Sequence, residues 1–186
     1  LADASLLTGL FIDSQAKYNE LIHTNVANLT HVLGDAGFNR ILAAPGTYEA
    51  DAEWRDFYRY DHYLFRYDFG YEGPFISFGA MPDQYLLHRT NLYAEEVDDG
   101  RPFFVTYILV TSHVPFERIP PYIVDWSSLD DGSLFGEVPM MEFDNNWLAG
   151  AEYPEGYIAS IDYVLRTITA YITERLDDGS LVVVVG

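Results

Sequence analysis

Glu95-Glu96-Val97-Asp98-Asp99-Gly100-Arg101-Pro102-Phe103-Phe104-Val105-Thr106-Tyr107-Ile108-Leu109-Val110 joins an acidic turn to an almost wholly apolar run. Asp and Gly are standard turn residues, and the run from Phe103 to Val110 has the length of a strand, far short of the ~20 residues that span a bilayer. A strand that is apolar on both faces is covered on both, as in a parallel sheet packed between helices. Upstream, Pro82 stands where a helix begins, and Tyr85, Leu86, Leu87, Leu92, Tyr93 and Val97 predict a helix ending near Asp98. The same device recurs in Glu174-Arg175-Leu176-Asp177-Asp178-Gly179, which leads into Leu181 to Val185, predicted to be a buried strand. Before it, Ile161, Leu165, Ile168, Ile172 and Leu176 fall on one face of a helix predicted over 157–176. Helix, acidic turn with glycine, apolar strand, used twice, predicts an α/β fold with a mainly parallel sheet flanked by helices.

Outward from this core, Val26, Leu29, Val32 and Leu33 predict a helix over Asn25 to Ala36, with Gly37 where a left-handed C-cap belongs. Arg40 to Ala44 reads as a short buried strand stopped by Pro45-Gly46. Residues 48–80 are rich in aromatics, and 115–154 form a long irregular segment rich in Pro, Gly, Asp and Trp, of the kind that is functional or an insertion. The 186 residues are the length of one domain, and 49% hydrophobic content supplies a core. With 29 acidic against 10 basic residues, a net charge of -19, nucleic acid is excluded as a partner. Without cysteine there is no disulfide, thiol nucleophile or thiolate-held metal. The first residues carry no signal-peptide pattern, and no apolar stretch spans a membrane. The start at Leu1 and the stop at Gly186, after Val182-Val183-Val184-Val185, read as a piece of a larger protein, a single α/β unit over 1–186.

The common catalytic fingerprints are absent: no Gly-rich dinucleotide loop, P-loop, His-Glu-x-x-His or nucleophile elbow. His23 and His31 lie eight residues apart, a pair with no third ligand. Asp98-Asp99, Asp130-Asp131 and Asp177-Asp178 lack the alternating spacing of a calcium loop and read as solvated turns. His113, in Thr111-Ser112-His113-Val114-Pro115-Phe116, sits just past the C-terminal end of an apolar strand, where parallel α/β sheets bind ligands. It could donate to an anionic ester or carry a proton, or simply bond to loop backbone. Between Trp54 and Phe78, rings alternate with Arg55, Arg59 and Arg66. The run suits either a substrate wall, with Arg59 and Arg66 reaching an anion, or rings packed on the sheet.

Ser112-His113-Val114-Pro115-Phe116, after Pro102-Phe103-Phe104-Val105, resembles the His-x-Pro-Phe/Tyr segment of the sulfatases in the alkaline phosphatase superfamily. Ala4-Ser5-Leu6-Leu7-Thr8-Gly9-Leu10 is similar to the helix and turn that follow that family's nucleophile. Asn28-Leu29 through Ala36-Gly37-Phe38, Tyr157 to Tyr163, and Leu181 to Gly186 resemble further segments in the same order. The resemblance implies an alkaline phosphatase-like fold, here incomplete, in a sulfatase-like enzyme. Such an enzyme hydrolyses or transfers a sulfate or phosphate ester on a sugar, lipid headgroup or aryl group, by a metal-assisted covalent route. His113 would touch the transferred group or protonate the leaving oxygen, with Ser112, Arg59 and Arg66 as substrate contacts. Nucleophile and metal ligands would lie outside this chain, which would hold no cation and be inactive alone, the full-length enzyme taking calcium, manganese or zinc. The resemblance also implies an extracytoplasmic enzyme, with or without a membrane anchor. Leu165-Arg166 stand where the family has an acid, and Ile41 to Gly46 contain no lysine, which leans toward its lipid-headgroup transferase branch. The competing reading is a non-catalytic acidic, aromatic-rich module that binds carbohydrate or protein.

Overall fold

The computed structural model describes residues 1–49, 52–76, 80–143, 155–177 and 179–185. Strand β1 (Asn39–Ala44) lies between β2 (His62–Phe65) and β3 (Phe103–Tyr107) in a three-stranded sheet, parallel to both. Ile41 and Ala43 enter one core with α5 (Asp83–Glu96), whereas Leu42 and Ala44 enter a second with α1 (Ala2–Thr8) and α4 (Ala52–Tyr58). Successive strand residues face opposite sides, so a continuously apolar β1 is what a sheet covered on both faces requires. The expected α/β architecture holds. β3 is only half-buried along its length because it has a strand partner on one side.

Shorter helices α2 (Gln15–Leu21) and α3 (Leu29–Asp35) precede β1. α3 ends as expected: Gly37 has φ 88°, and the amides of Gly37 and Phe38 donate to the Gly34 and Leu33 carbonyls. Its start differs from expectation, at Leu29 rather than Asn25, because the Asn28 side chain caps it by accepting from His31 N at 3.2 Å. The buried side differs too: Val32 is 58% exposed, while Asn28 and Thr30 are buried against the backbone of Phe57 and Tyr58. That neighbour is the end of α4, whose carbonyls call for donors rather than methyl groups. Asn28→Ala removes the cap and the bond from Nδ2 to the Phe57 carbonyl. It is expected to cost about 2 kcal/mol in urea denaturation, against a few tenths for a surface substitution.

α6 (Glu155–Glu174) occupies the predicted helix, but a different face is buried. Gly156, Ser160, Tyr163, Val164, Thr167 and Tyr171 point inward, and Ile158, Leu165 and Ile172 are exposed. Small side chains let the helix approach closely, and its tyrosines carry hydroxyls to polar groups on the neighbouring elements: Tyr163 Oη accepts from Gln84 N, and Tyr171 Oη donates to Asn91. Leu181 to Val185 form no strand; all five are exposed, Leu181 to 91%. Strand propensity alone does not seat the run: among the described residues β3 pairs only with β1, and Leu181 to Val185 do not join its outer edge.

The irregular segment carries structure of its own. β4 (Arg118–Ile119) pairs antiparallel with β5 (Met141–Glu142), and 3₁₀ turns at Trp126–Leu129 and Ser133–Gly136 bury Trp126, Leu129 and Phe135 in the α5 core. Residues 144–154, Phe78 and Asp178 lie outside the described residues. Asp98 and Asp131 accept from the amides of Gly100 and Ser133, each at 2.9 Å, so these two acidic pairs belong to turns as expected.

Candidate functional site

The chain passes from β1 to β2 on one side and then to β3 on the other, so strand order reverses at β1. In parallel α/β sheets the crevice outside the carboxyl ends of the strands at such a reversal is where ligands bind. Here it is bounded by the loop after β1, Pro45 to Tyr48, and the turn after β3, Val110 to Phe116. His113 stands in that turn, exposed, as its place in the sequence predicts. Its amide donates to Val110 O at 2.9 Å, and its Nδ1 lies 2.7 Å from Val114 O. A carbonyl only accepts, so Nδ1 carries hydrogen. The neutral ring then accepts at Nε2, and the imidazolium donates there. Ser112, beside it, is half-buried.

The two arginines separate. Arg66 follows β2 and therefore lies on the same carboxyl edge as the turn that carries His113, the two strands being two spacings or ~10 Å apart. It is 8% exposed, its guanidinium 4.5 Å from the Tyr48 ring centre and 5.1 Å from that of Phe75, and it donates to the Tyr48 hydroxyl. Its backbone amide donates to Thr47 O at 2.9 Å, tying the loop after β1 to the end of β2. Arg59 precedes β2 and stands at the opposite, amino edge, exposed, beside the Arg40–Asp61 ion pair, with its Nε donating to Asp56 O. The fold does not bring Arg59 and His113 together. Most of the aromatic run is packing: Phe57, Tyr58, Tyr60, Phe65 and Phe69 are all at most 6% exposed. A small cavity of about 170 Å³ remains on the sheet face covered by α1 and α4, between Asp3 and Leu7 of α1, Trp54 and Tyr58 of α4, and Ala44 and Ile108. Burial there holds the Tyr58 and Tyr60 hydroxyls well above the ordinary range, so they stay protonated.

Sequence reasoning placed the start of α5 at Pro82 but missed Asp83, the residue that follows it. Asp83 is fully buried and accepts from the amides of Val110 at 2.8 Å and Thr111 at 3.2 Å, three and two residues before His113. Burial pushes its carboxyl up to about 6, against the lowering effect of those bonds. A Pro-Asp pair opening a helix is visible in sequence as a start signal; that the acid faces β3 is set by strand order. His23 and His31 do not share a helix: α2 ends at Leu21, α3 begins at Leu29, and the His31 ring bonds to Phe57 O. No group of three or more His, Asp or Glu side chains converges to hold a metal among the described residues. No helix among them is long and apolar enough to cross a membrane.

The fold matches that of the lipoteichoic acid synthase LtaP from Listeria monocytogenes, with a TM-score of 0.59 and 19% identity. The match covers 92% of this chain and 38% of that one, so this chain spans well under half of its structural neighbour. No protein-family model matches the sequence, and no curated protein does.

Proposed function

We propose that this chain is part of a sulfatase-like enzyme of the alkaline phosphatase superfamily, acting on a phosphate or sulfate ester, and that transfer rather than hydrolysis is its reaction. The observation that carries the reading is a fold shared over 92% of the chain with a synthase, together with a histidine at the carboxyl end of β3 beside the strand-order reversal. His113 as imidazolium donates from Nε2 to an oxygen of the bound ester, or passes that proton to the leaving oxygen. The Val114 carbonyl orients the ring by holding Nδ1. Arg66 adds positive charge on the same edge, and Ser112 a hydroxyl. Among the described residues no side chains converge into a metal site, and this reading takes the divalent cation and the nucleophile from outside this chain. The substrate is an anionic ester, and the enzyme works on the extracytoplasmic side.

In the full-length protein, His113→Ala is expected to lower turnover of a phosphate-ester donor at least tenfold with the fold intact, as lost charge-stabilising donors do. Arg59→Ala, on the far edge, is expected to leave turnover within twofold. Steady-state kinetics decide: unchanged turnover in His113→Ala removes the histidine from the site and the reading with it. The 186-residue chain alone is expected to hydrolyse neither aryl phosphate nor aryl sulfate.

A further inference from the structure

β3 leaves the sheet early. Its last bond to β1 is the Ile108 amide donating to Ala43 O, and no ladder holds Val110 to His113 among the described residues. What holds them is the first residue of α5. The Asp83 carboxylate accepts from Val110 N at 2.8 Å, and from Thr111 N at 3.3 Å through one oxygen and 3.2 Å through the other. In return, Asp83 N donates to Thr111 Oγ1 at 3.2 Å. Val110 O then accepts from His113 N, closing the turn that presents the ring. Asp83 and Thr111 are both 0% exposed. The next residue repeats the device on the segment behind. Gln84 donates from Nε2 to Ile123 O at 2.6 Å and accepts at Oε1 from Ile123 N at 2.9 Å, while its own amide meets Tyr163 Oη of α6.

A buried carboxylate is a costly way to fill one hydrogen bond, and a neutral side chain would serve. Two oxygens, however, can take two successive amides, which fixes both residues that lead into His113. We propose that Asp83 is the positioning residue of the His113 turn, standing in for the strand that would otherwise hold it; its consequence for turnover rests on the proposed function.

The test has two arms. In this chain, Asp83→Asn keeps shape and one acceptor oxygen, but an NH2 group that cannot accept replaces the other, so either Val110 N loses its 2.8 Å partner or Thr111 N loses its 3.2 Å one. Native-state amide exchange is expected to speed up at least tenfold at Val110 or Thr111, with Val105 and Thr106 of β3 as references unchanged within threefold, and the His113 ring resonances move. Thr111→Val removes the hydroxyl but leaves both amide bonds to the carboxylate in place, and is expected to keep both amides protected. Wild-type exchange in Asp83→Asn, or loss spread evenly through β3, overturns the proposal, and equal loss in both variants does the same. In the full-length protein, Asp83→Asn is expected to lower kcat at least fivefold with KM within threefold, and to add nothing to His113→Ala, since a residue acting through another gives non-additive losses. Additive losses overturn it. If His113→Ala is itself inert, the proposed function falls, and the exchange arm alone decides what Asp83 does.

Discussion

Alanine at position 156 is expected to destabilise the fold by about 2–3 kcal/mol, although Gly156 lies in a helix, where alanine is the better helix former. The propensity gain is at most ~1 kcal/mol and smaller in a first turn. Against it stands a Cβ that would fall 2.3 Å from Phe116 O and 3.2 Å from Phe143 Cβ and Cγ. A backbone carbonyl and a ring root cannot swing aside as the end of a long side chain can, so α6 or the segment after His113 must move, and overpacking of this kind costs about 1–3 kcal/mol or more. Phe116 has little room to yield: its φ is 59°, in the left-handed region, and its ring packs edge-on against Tyr157 at 5.3 Å. Gly179→Ala is the control, since nothing lies within 4 Å of its Cβ position, and it is expected to stay within ~0.5 kcal/mol. Urea unfolding of both checks this; a Gly156→Ala protein as stable as wild type would mean that α6 is not seated on the Phe116 carbonyl.

The parts of the fold that sequence made legible are those decided locally. Gly37 closes α3, Pro45-Gly46 follows β1, and Pro82 precedes α5, each because a cap or turn depends on a few neighbouring residues. What stayed hidden depended on partners far along the chain. The aliphatic residues of α6 suggested its inner face, yet Tyr163 and Tyr171 point inward, because α5 and β3 offer them polar partners and Gly156 and Ser160 allow close approach. Leu181 to Val185 have the composition of a buried strand, yet they do not join the outer edge of β3. β2 was unreadable within a run of mixed rings and charges, and its position decides which arginine shares an edge with His113. Arg66 comes after that strand and Arg59 before it, so seven residues of sequence become the full length of a strand in space.

The candidate site was legible to the same extent. His113 could be found because an apolar strand announces its own carboxyl end. Asp83 could not, because an acid in the first turn of a helix ordinarily faces water and the helix dipole explains it. Only the order β2-β1-β3 brings the Val110 and Thr111 amides over its carboxylate.

That burial has a pH signature. Between about pH 4 and pH 7, stability of the wild-type chain relative to Asp83→Asn is expected to fall by about 3 kcal/mol. The carboxyl titrates near 4 when unfolded and is pushed up to about 6 in the fold, a difference of two pH units at ~1.4 kcal/mol each. A group raised on folding contributes fully below its unfolded value and loses that contribution as pH rises through its folded one. Asparagine at 83 does not titrate, and every other ionisable group is shared by the two proteins, so their difference isolates this residue. The sign decides between two physical accounts. Bonds from Val110 N and Thr111 N favour the ionised form, and if they outweighed burial the difference would grow with pH instead. Burial is the larger effect, and no guanidinium is among the causes acting on Asp83. The facing phenol, Tyr163 of α6, is itself held above the ordinary range by burial and stays neutral throughout. Urea titrations of both proteins at pH 4, 5, 6 and 7 measure the difference. A flat line would place the carboxylate in contact with solvent, and a rising one would mean that the two amides hold it ionised in spite of its burial.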